Sequence, residues 1–395
     1  MYPRALTPSL TALFGQYPVV TVTGPRQSGK TTLCRNSFPG KPYVNLEAPD
    51  ERAFARDDPR GFLGRFPEGA ILDEVQHVPE LLSYLQVRVD ESGRPGQYLL
   101  TGSHQFELDR HISQSLAGRT ALLRLLPLSV AERLALETPA AYDAWLFQGG
   151  YPRVVAQGLE PVRAYGDYFQ TYIQRDLREL LQIKDLRLFE KFVRLAAGRT
   201  GQILNLNGLA ADTGVSGHTA RAWLSMLEAS YIVFLLPPWF ANIGKRLVKS
   251  PKLYFCDTGL ACYLMGIRAA EQLASHPLRG ALFETLMVGE ALKQRLNHGL
   301  PADLYYYRDS GGLEVDVLLD RGDRLDAVEV KSGETLASDF FKPLDKLAAL
   351  LPDRIGRRAL VQGGMLGQER SHAEALPWFG LSAWMDAGMT RPPST

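Results

Sequence analysis

Val19-Val20-Thr21-Val22-Thr23-Gly24-Pro25-Arg26-Gln27-Ser28-Gly29-Lys30-Thr31-Thr32 decides the fold of this chain. Its first five residues favour a strand, and the next eight fit G-x-x-x-x-G-K-[ST] without a mismatch. Thr31-Thr32-Leu33-Cys34 can then open a helix. A strand that curls through glycines into a helix turns backbone N–H groups and the helix N-terminus toward a phosphate. Gly24, Pro25, Arg26, Gln27, Ser28, Gly29, Lys30, Thr31 and Thr32 are therefore the candidate nucleotide-binding residues. Lys30 would reach the β- and γ-phosphates, and Thr31 would give a hydroxyl to Mg²⁺. A chance glycine turn before a helix would require neither side chain.

The surrounding sequence has the rhythm of a buried parallel sheet. Tyr43-Val44-Asn45-Leu46, Ala70-Ile71-Leu72, Tyr98-Leu99-Leu100 and Ala121-Leu122-Leu123 are short apolar runs separated by helical lengths. Ala70-Ile71-Leu72-Asp73-Glu74 is a strand ending in two acids, so Asp73 would join the Mg²⁺ shell and Glu74 would polarise an attacking water. Any strand emerging into solvent can end in acids; beside the phosphate loop the catalytic reading is the better one. Thr101-Gly102-Ser103 ends the next strand, which makes Ser103 a candidate γ-phosphate sensor or a simple turn residue.

Six segments carry a family resemblance: GPRQSGKTT (24–32), LDEVQHVPEL (72–81), LLTGSHQ (99–105), SLAGRTALLRLLPLS (115–129), GGYPRVV (149–155) and SPKLYFCDTGL (250–260). In this order, over about residues 15–340, the chain resembles the bacterial and archaeal AAA+-type ATPases that carry a C-terminal domain of unknown function. The resemblance implies ATP as ligand and a homo-oligomer, such as a hexameric ring, that shares sites between subunits. It also implies that Arg119, just before a strand at 121–126, reaches a neighbour's γ-phosphate; Arg110 is the alternative and Arg153 a candidate lid arginine. A surface arginine favourable to a helix dipole is the plainer reading of Arg119.

Leu209 to Leu224 resembles a helix-turn-helix, with Gly214 at the turn and Ser216 as a cap. Val215, Ala220, Trp223, Leu224 and Leu227 would face the core, leaving His218, Thr219, Arg221 and Ser225 more exposed. Tyr231–Leu236 and Lys252–Phe255 can pair as a wing-like hairpin. Its connection carries Lys245, Arg246, Lys249 and Lys252, with no acid between Glu228 and Asp257. With His218 and Arg221, that one-signed stretch is a candidate DNA contact; a protein-interaction module with solvated lysines is the competing reading.

Farther along, Glu314-Val315-Asp316-Val317-Leu318-Leu319 and Ala327-Val328-Glu329-Val330-Lys331 alternate as strands do. Paired, they would gather Glu314, Asp316, Glu329 and Lys331, and Glu284 could complete a hard-oxygen metal set. The set resembles the PD-(D/E)xK nuclease superfamily, with Val315 where the name residue is proline. An amphipathic hairpin with solvated charges is the bland alternative.

The chain has 395 residues, 44 basic against 43 acidic side chains and 45% hydrophobic residues, and its 36 glycines and 25 prolines are ordinary numbers, which excludes disordered and collagen-like classes. The expected division is a P-loop AAA+ core at 1–135, a helical lid at 136–200, a winged helix-turn-helix at 201–268 and a restriction-endonuclease-like α/β module at 269–395. MYPRALTPSL lacks a signal-peptide core, no apolar run approaches a span of about 20 residues, and three cysteines without metal spacing suit a reducing interior. A cytoplasmic protein is expected. It would be an ATP-hydrolysing oligomer acting on DNA or, alternatively, a nucleotide-gated regulatory or defence switch that holds a protein partner and cuts nothing.

Overall fold

The computed structural model describes residues 2–103, 115–174, 185–239 and 249–389. The N-terminal sheet contains β1 (Val19–Thr23), β2 (Tyr43–Asn45), β3 (Ile71–Asp73), β4 (Tyr98–Gly102) and β5 (Thr120–Arg124). All pairings are parallel and the order is β2-β3-β4-β1-β5. Every residue of β1 is buried, because helices cover both faces of such a sheet. One apolar cluster, with Leu72, Leu82 and Leu100, fills one side; another, with Val20, Leu33 and Leu123, fills the other.

This order sets the site. The phosphate-loop strand β1 and the acid-bearing strand β3 are separated by β4, so the C-terminal end of β4 lies between them. The strand expected at 121–126 runs instead from Thr120 to Arg124.

The middle of the chain folds as helix Leu186–Ala197, β6 (Gln202–Ile203), helices Leu206–Thr213 and Gly217–Ala229, then β7 (Val233–Leu236) and β8 (Lys252–Phe255). Asn205 and Ser216 cap the two central helices, accepting N–H bonds from Gly208 (2.9 Å) and Thr219 (3.0 Å). Gly214 leaves the first of them at φ 90°, a left-handed conformation that glycine adopts without cost. Ala220, Trp223, Leu224 and Leu227 are buried as their spacing requires, while Val215 is half-buried. The antiparallel sheet β6-β8-β7 closes the unit.

The C-terminal region starts with helix Arg279–Asn297. An antiparallel meander follows: β9 (Leu304–Arg308), β10 (Glu314–Asp320) and β11 (Leu325–Lys331). Helix Lys342–Leu350 then leads to β12 (Ile355–Gln362), parallel to β11, before β13 (Gln368–Glu369) and β14 (Glu374–Pro377) complete the sheet.

A single apolar cluster runs from Val130 through Trp223 and Phe283 to Met385, so the middle and C-terminal units share one core. Polar contacts tie this body to the segment that follows β5. Lys293 Nζ donates to the Leu128 carbonyl (3.1 Å), and the buried Glu290 carboxylate accepts the N–H groups of Val130 (2.6 Å) and Ala131 (3.1 Å). No helix among the described residues is long and apolar enough to cross a membrane.

Candidate active site

The phosphate loop is built for close backbone approach. Gly24 (φ 151°) has no room for a side chain, because a Cβ there would collide with the Leu125 carbonyl. Lys30, buried, donates to the Gly24 and Pro25 carbonyls, both at 2.9 Å. Burial pushes its pKa down, while Glu74 and Asp73 pull the other way. Among the described residues Ser28 Oγ is buried without a partner in the loop, a donor that a phosphate oxygen fits.

Across β4, Asp73 collects three hydroxyls. Thr31 Oγ1 donates to its Oδ2 at 2.8 Å, Tyr43 OH to the same oxygen at 2.7 Å, and Thr101 Oγ1 to Oδ1. The Glu74 N–H in turn donates to Thr101 Oγ1 (3.2 Å), and Glu74 sits at φ 55°, a strained conformation for a residue with a side chain. Ser103 Oγ donates to Glu74 Oε2 at 2.9 Å, and Gln76 Nε2 donates to the same oxygen. Burial raises the Glu74 pKa, but Lys30, Gln76 and Ser103 outweigh it and hold the carboxyl below its ordinary range. An ionised carboxylate is therefore fixed beside the phosphate loop.

In the C-terminal sheet, Glu314 and Asp316 do share a face, as alternation requires, but the cation they meet is Lys252. Its Nζ lies 2.9 Å from Glu284 Oε1, 2.6 Å from Glu314 Oε1 and 3.5 Å from Asp316 Oδ1. This corrects its place as an exposed wing lysine: as the first residue of β8 it points inward and is 2% exposed, so it cannot reach a DNA phosphate. Burial lowers its pKa, and Glu284, Asp316 and Glu314 more than reverse that. Asp316 Oδ2 accepts the Val330 N–H (2.9 Å), and Lys331 Nζ donates to Glu329 Oε1. Burial and the Asp316 charge push Glu284 up to about 7 and Glu329 up to about 8. The acids do gather, yet among the described residues no group of three or more His, Cys, Asp or Glu side chains is arranged to hold a metal. His218, Arg221 and Lys249 are exposed; Lys245 and Arg246 lie outside the described residues.

Residues 16–134 match the AAA domain family, 139–271 a domain of unknown function (DUF8612) and 279–379 another (DUF4143). The uncharacterized proteins Rv2008c of Mycobacterium tuberculosis and Mb2031c of Mycobacterium bovis are each 35% identical over 320 residues, spanning 80% of this chain and 71% of theirs. The chain belongs to this family of AAA-domain proteins. Similar solved structures include the Walker-type ATPase PABY2304 of Pyrococcus abyssi (16% identity, TM-score 0.44, 67% of this chain and 96% of that one). The Thermotoga maritima RuvB Holliday junction branch migration motor is another (19% identity, TM-score 0.29, 59% and 87%).

In this AAA-type P-loop ATPase the residues present fit Mg²⁺-nucleotide. Thr31 and Asp73 already face each other and would hold a magnesium ion, which would supply charge neutralisation at the phosphates. A cleft of about 330 Å³ beside the loop, lined by Arg4, Gly29, Thr32, Asn36, Pro152 and Ala156, continues away from Thr32. Arg153 is exposed on the helix Pro152–Gln157 that starts at this cleft. Arg119 stands at the start of β5, opposite the end of β1 where the loop begins, five residues or about 16 Å away. It cannot reach its own site, and it is paired bidentately with Asp90 (2.6 and 2.8 Å). Arg110 lies outside the described residues.

Sequence reasoning missed Arg4, Tyr43 and Gln76, and gave Thr101 no role. Arg4 bridges the Ser28 carbonyl (2.6 Å), the Leu126 carbonyl (2.7 Å) and Glu132 (2.9 Å), bracing the phosphate loop from the N-terminus. Tyr43 and Thr101 act because β2 and β4 flank β3, an order that local sequence does not encode.

Proposed function

We propose that this chain hydrolyses ATP as an oligomer and couples turnover to DNA held on the exposed face of helix Gly217–Ala229. The observation that carries the hydrolysis is the ionised Glu74 carboxylate, held by Ser103 and Gln76 next to Lys30. Ser103 and Gln76 hold Glu74 Oε2, which leaves Oε1 to orient the attacking water and take its proton. Lys30 exchanges its two carbonyl partners for phosphate oxygens. Thr31 and Asp73 would hold Mg²⁺, which when bound neutralises charge on the phosphates. Arg119 serves the site of an adjacent copy once released from Asp90.

The helix–strand–helix–helix–strand–strand order of residues 186–255 supports a winged helix, and exposed His218, Arg221 and Lys249 support phosphate contact from it. The helix, three strands, helix and strand of residues 279–362 support a nuclease-like fold for the C-terminal unit. ATPase assays with and without duplex DNA test the reading. Lys30→Ala should abolish tight ATP binding, and Glu74→Gln should bind ATP but scarcely turn it over. Wild-type turnover by Glu74→Gln would remove Glu74 from the chemistry; absent DNA binding at low salt would give the helix face to a protein partner.

A further inference from the structure

The C-terminal acids meet two independent facts that their sequence pattern does not contain. First, Lys252 comes from β8 of the middle sheet, outside the C-terminal unit, and its ammonium is buried among Glu284, Glu314 and Asp316, 5.5 Å from the centre of the Tyr306 ring. Tyr254, also on β8, donates to Glu284 Oε1 at 2.6 Å, so one strand delivers both partners. Second, Glu329 is 3% exposed, and its Oε2 has no hydrogen-bond partner among the described residues although Oε1 is paired with Lys331. A buried carboxylate oxygen left open beside an occupied cluster marks a ligand position that is only partly filled.

A divalent ion bound by oxygens draws them to about 2.0–2.6 Å and takes six or more. An ammonium at 2.6–3.5 Å from three carboxylates uses those same lone pairs. Both cations cannot occupy the centre. At most four carboxylate charges, on Glu284, Glu314, Asp316 and Glu329, face the three cations Lys252, Lys331 and Arg308, the last 2.9 Å from Glu314. A metal entering beside Lys252 would therefore gain little attraction and would have to displace bonds already made.

We propose that Lys252 is the resident cation of this pocket: the middle unit's lysine fills the place a divalent ion would take, leaving the full chain without a metal there, and its removal uncovers a latent divalent site formed with Asp316. This deepens the nuclease-like reading of the C-terminal sheet, and it is independent of ATP turnover. The lysine joins two units that share a core, so the pocket works as an electrostatic lock between them rather than as a cutting centre.

Manganese is the probe, titrated into the nucleotide-free 395-residue chain and followed by the EPR signal of free Mn²⁺. An Asp73→Asn background keeps the ATP site out of the measurement. With Lys252 intact, no binding should depend on Asp316. Lys252→Met should gain one saturable Mn²⁺ equivalent per chain with a rise in melting temperature on metal addition, and Lys252→Met/Asp316→Asn should lose both. Lys252→Arg, which keeps a cation, should gain nothing. A folded Lys252→Met protein that acquires no site overturns the proposal. So does a Lys252-containing protein that binds Mn²⁺, or nicks supercoiled plasmid with Mg²⁺, and loses that property in Asp316→Asn. If Lys252→Met fails to fold, this last comparison decides alone, and the Asp316-independent result supports the lock. A failed ATPase assay would leave each of these outcomes unchanged, so the two readings stand or fall separately.

Discussion

Thr101→Val removes one oxygen from a wholly buried side chain and changes its shape little. That oxygen donates to Asp73 Oδ1 and accepts the N–H of Glu74, the residue at φ 55°. The substitution therefore breaks a hydrogen bond to the Asp73 side chain, about 1.5–3 kcal/mol, and orphans a buried N–H, about 1–3 kcal/mol. Part of that loss appears as stability. If about 2–3 kcal/mol reaches the transition state, because Glu74 is no longer locked in its strained pose, kcat falls roughly 30- to 160-fold. The phosphate loop and Lys30 are untouched, so nucleotide affinity should stay within about threefold, which locates the defect in the chemical step. Steady-state ATPase kinetics paired with fluorescent-nucleotide binding separate the two quantities, and Thr101→Ser, which restores the hydroxyl, should recover most of kcat. A folded Thr101→Val protein with kcat within about threefold of wild type would refute the claim that this hydroxyl positions the water-activating carboxylate.

Mixing Arg119→Ala with Lys30→Ala subunits should partly restore ATPase activity, whereas a stable, active monomer would dispose of the shared site; Asp90→Asn, which frees Arg119, should raise activity that depends on protein concentration without lowering the melting temperature. Burial and the Asp316 charge push Glu329 up to about 8 from an ordinary 4.5, so it takes up protons on folding, and its contribution is complete below about 4.5 and lost as pH rises through about 8. Glu329→Gln, a permanent mimic of the protonated form, should gain melting temperature relative to wild type between pH 5 and 9; a pH-independent difference would contradict this. If duplex DNA binds the helix face, Arg221→Ala and Lys249→Ala should each flatten the log–log salt dependence by roughly 0.9, whereas Lys252→Arg should leave the slope unchanged.

Local sequence determined a good deal of this protein. The stretch 19–32 dictated strand, glycine loop and helix, because each step follows from residues within hydrogen-bonding reach of one another along the chain. Alternation at 314–316 placed Glu314 and Asp316 on one face for the same reason, since side-chain direction in a strand is a local property; the irregularity between Val315 and Leu318 was not legible. Gly214 and Ser216 likewise marked the turn and cap between two helices. Tertiary structure decided everything that depends on which segments become neighbours. The order β2-β3-β4-β1-β5 inserts Thr101 and Ser103 between the phosphate loop and its acids and brings Tyr43 to Asp73, a choice made by packing the whole sheet between its helices. Lys252 shows the limit most sharply. In sequence it ends a run of cations with no acid near, so it reads as solvated; in the fold, β8 carries it beside acids from residues 284, 314 and 316, and only their convergence outweighs the cost of burying its charge.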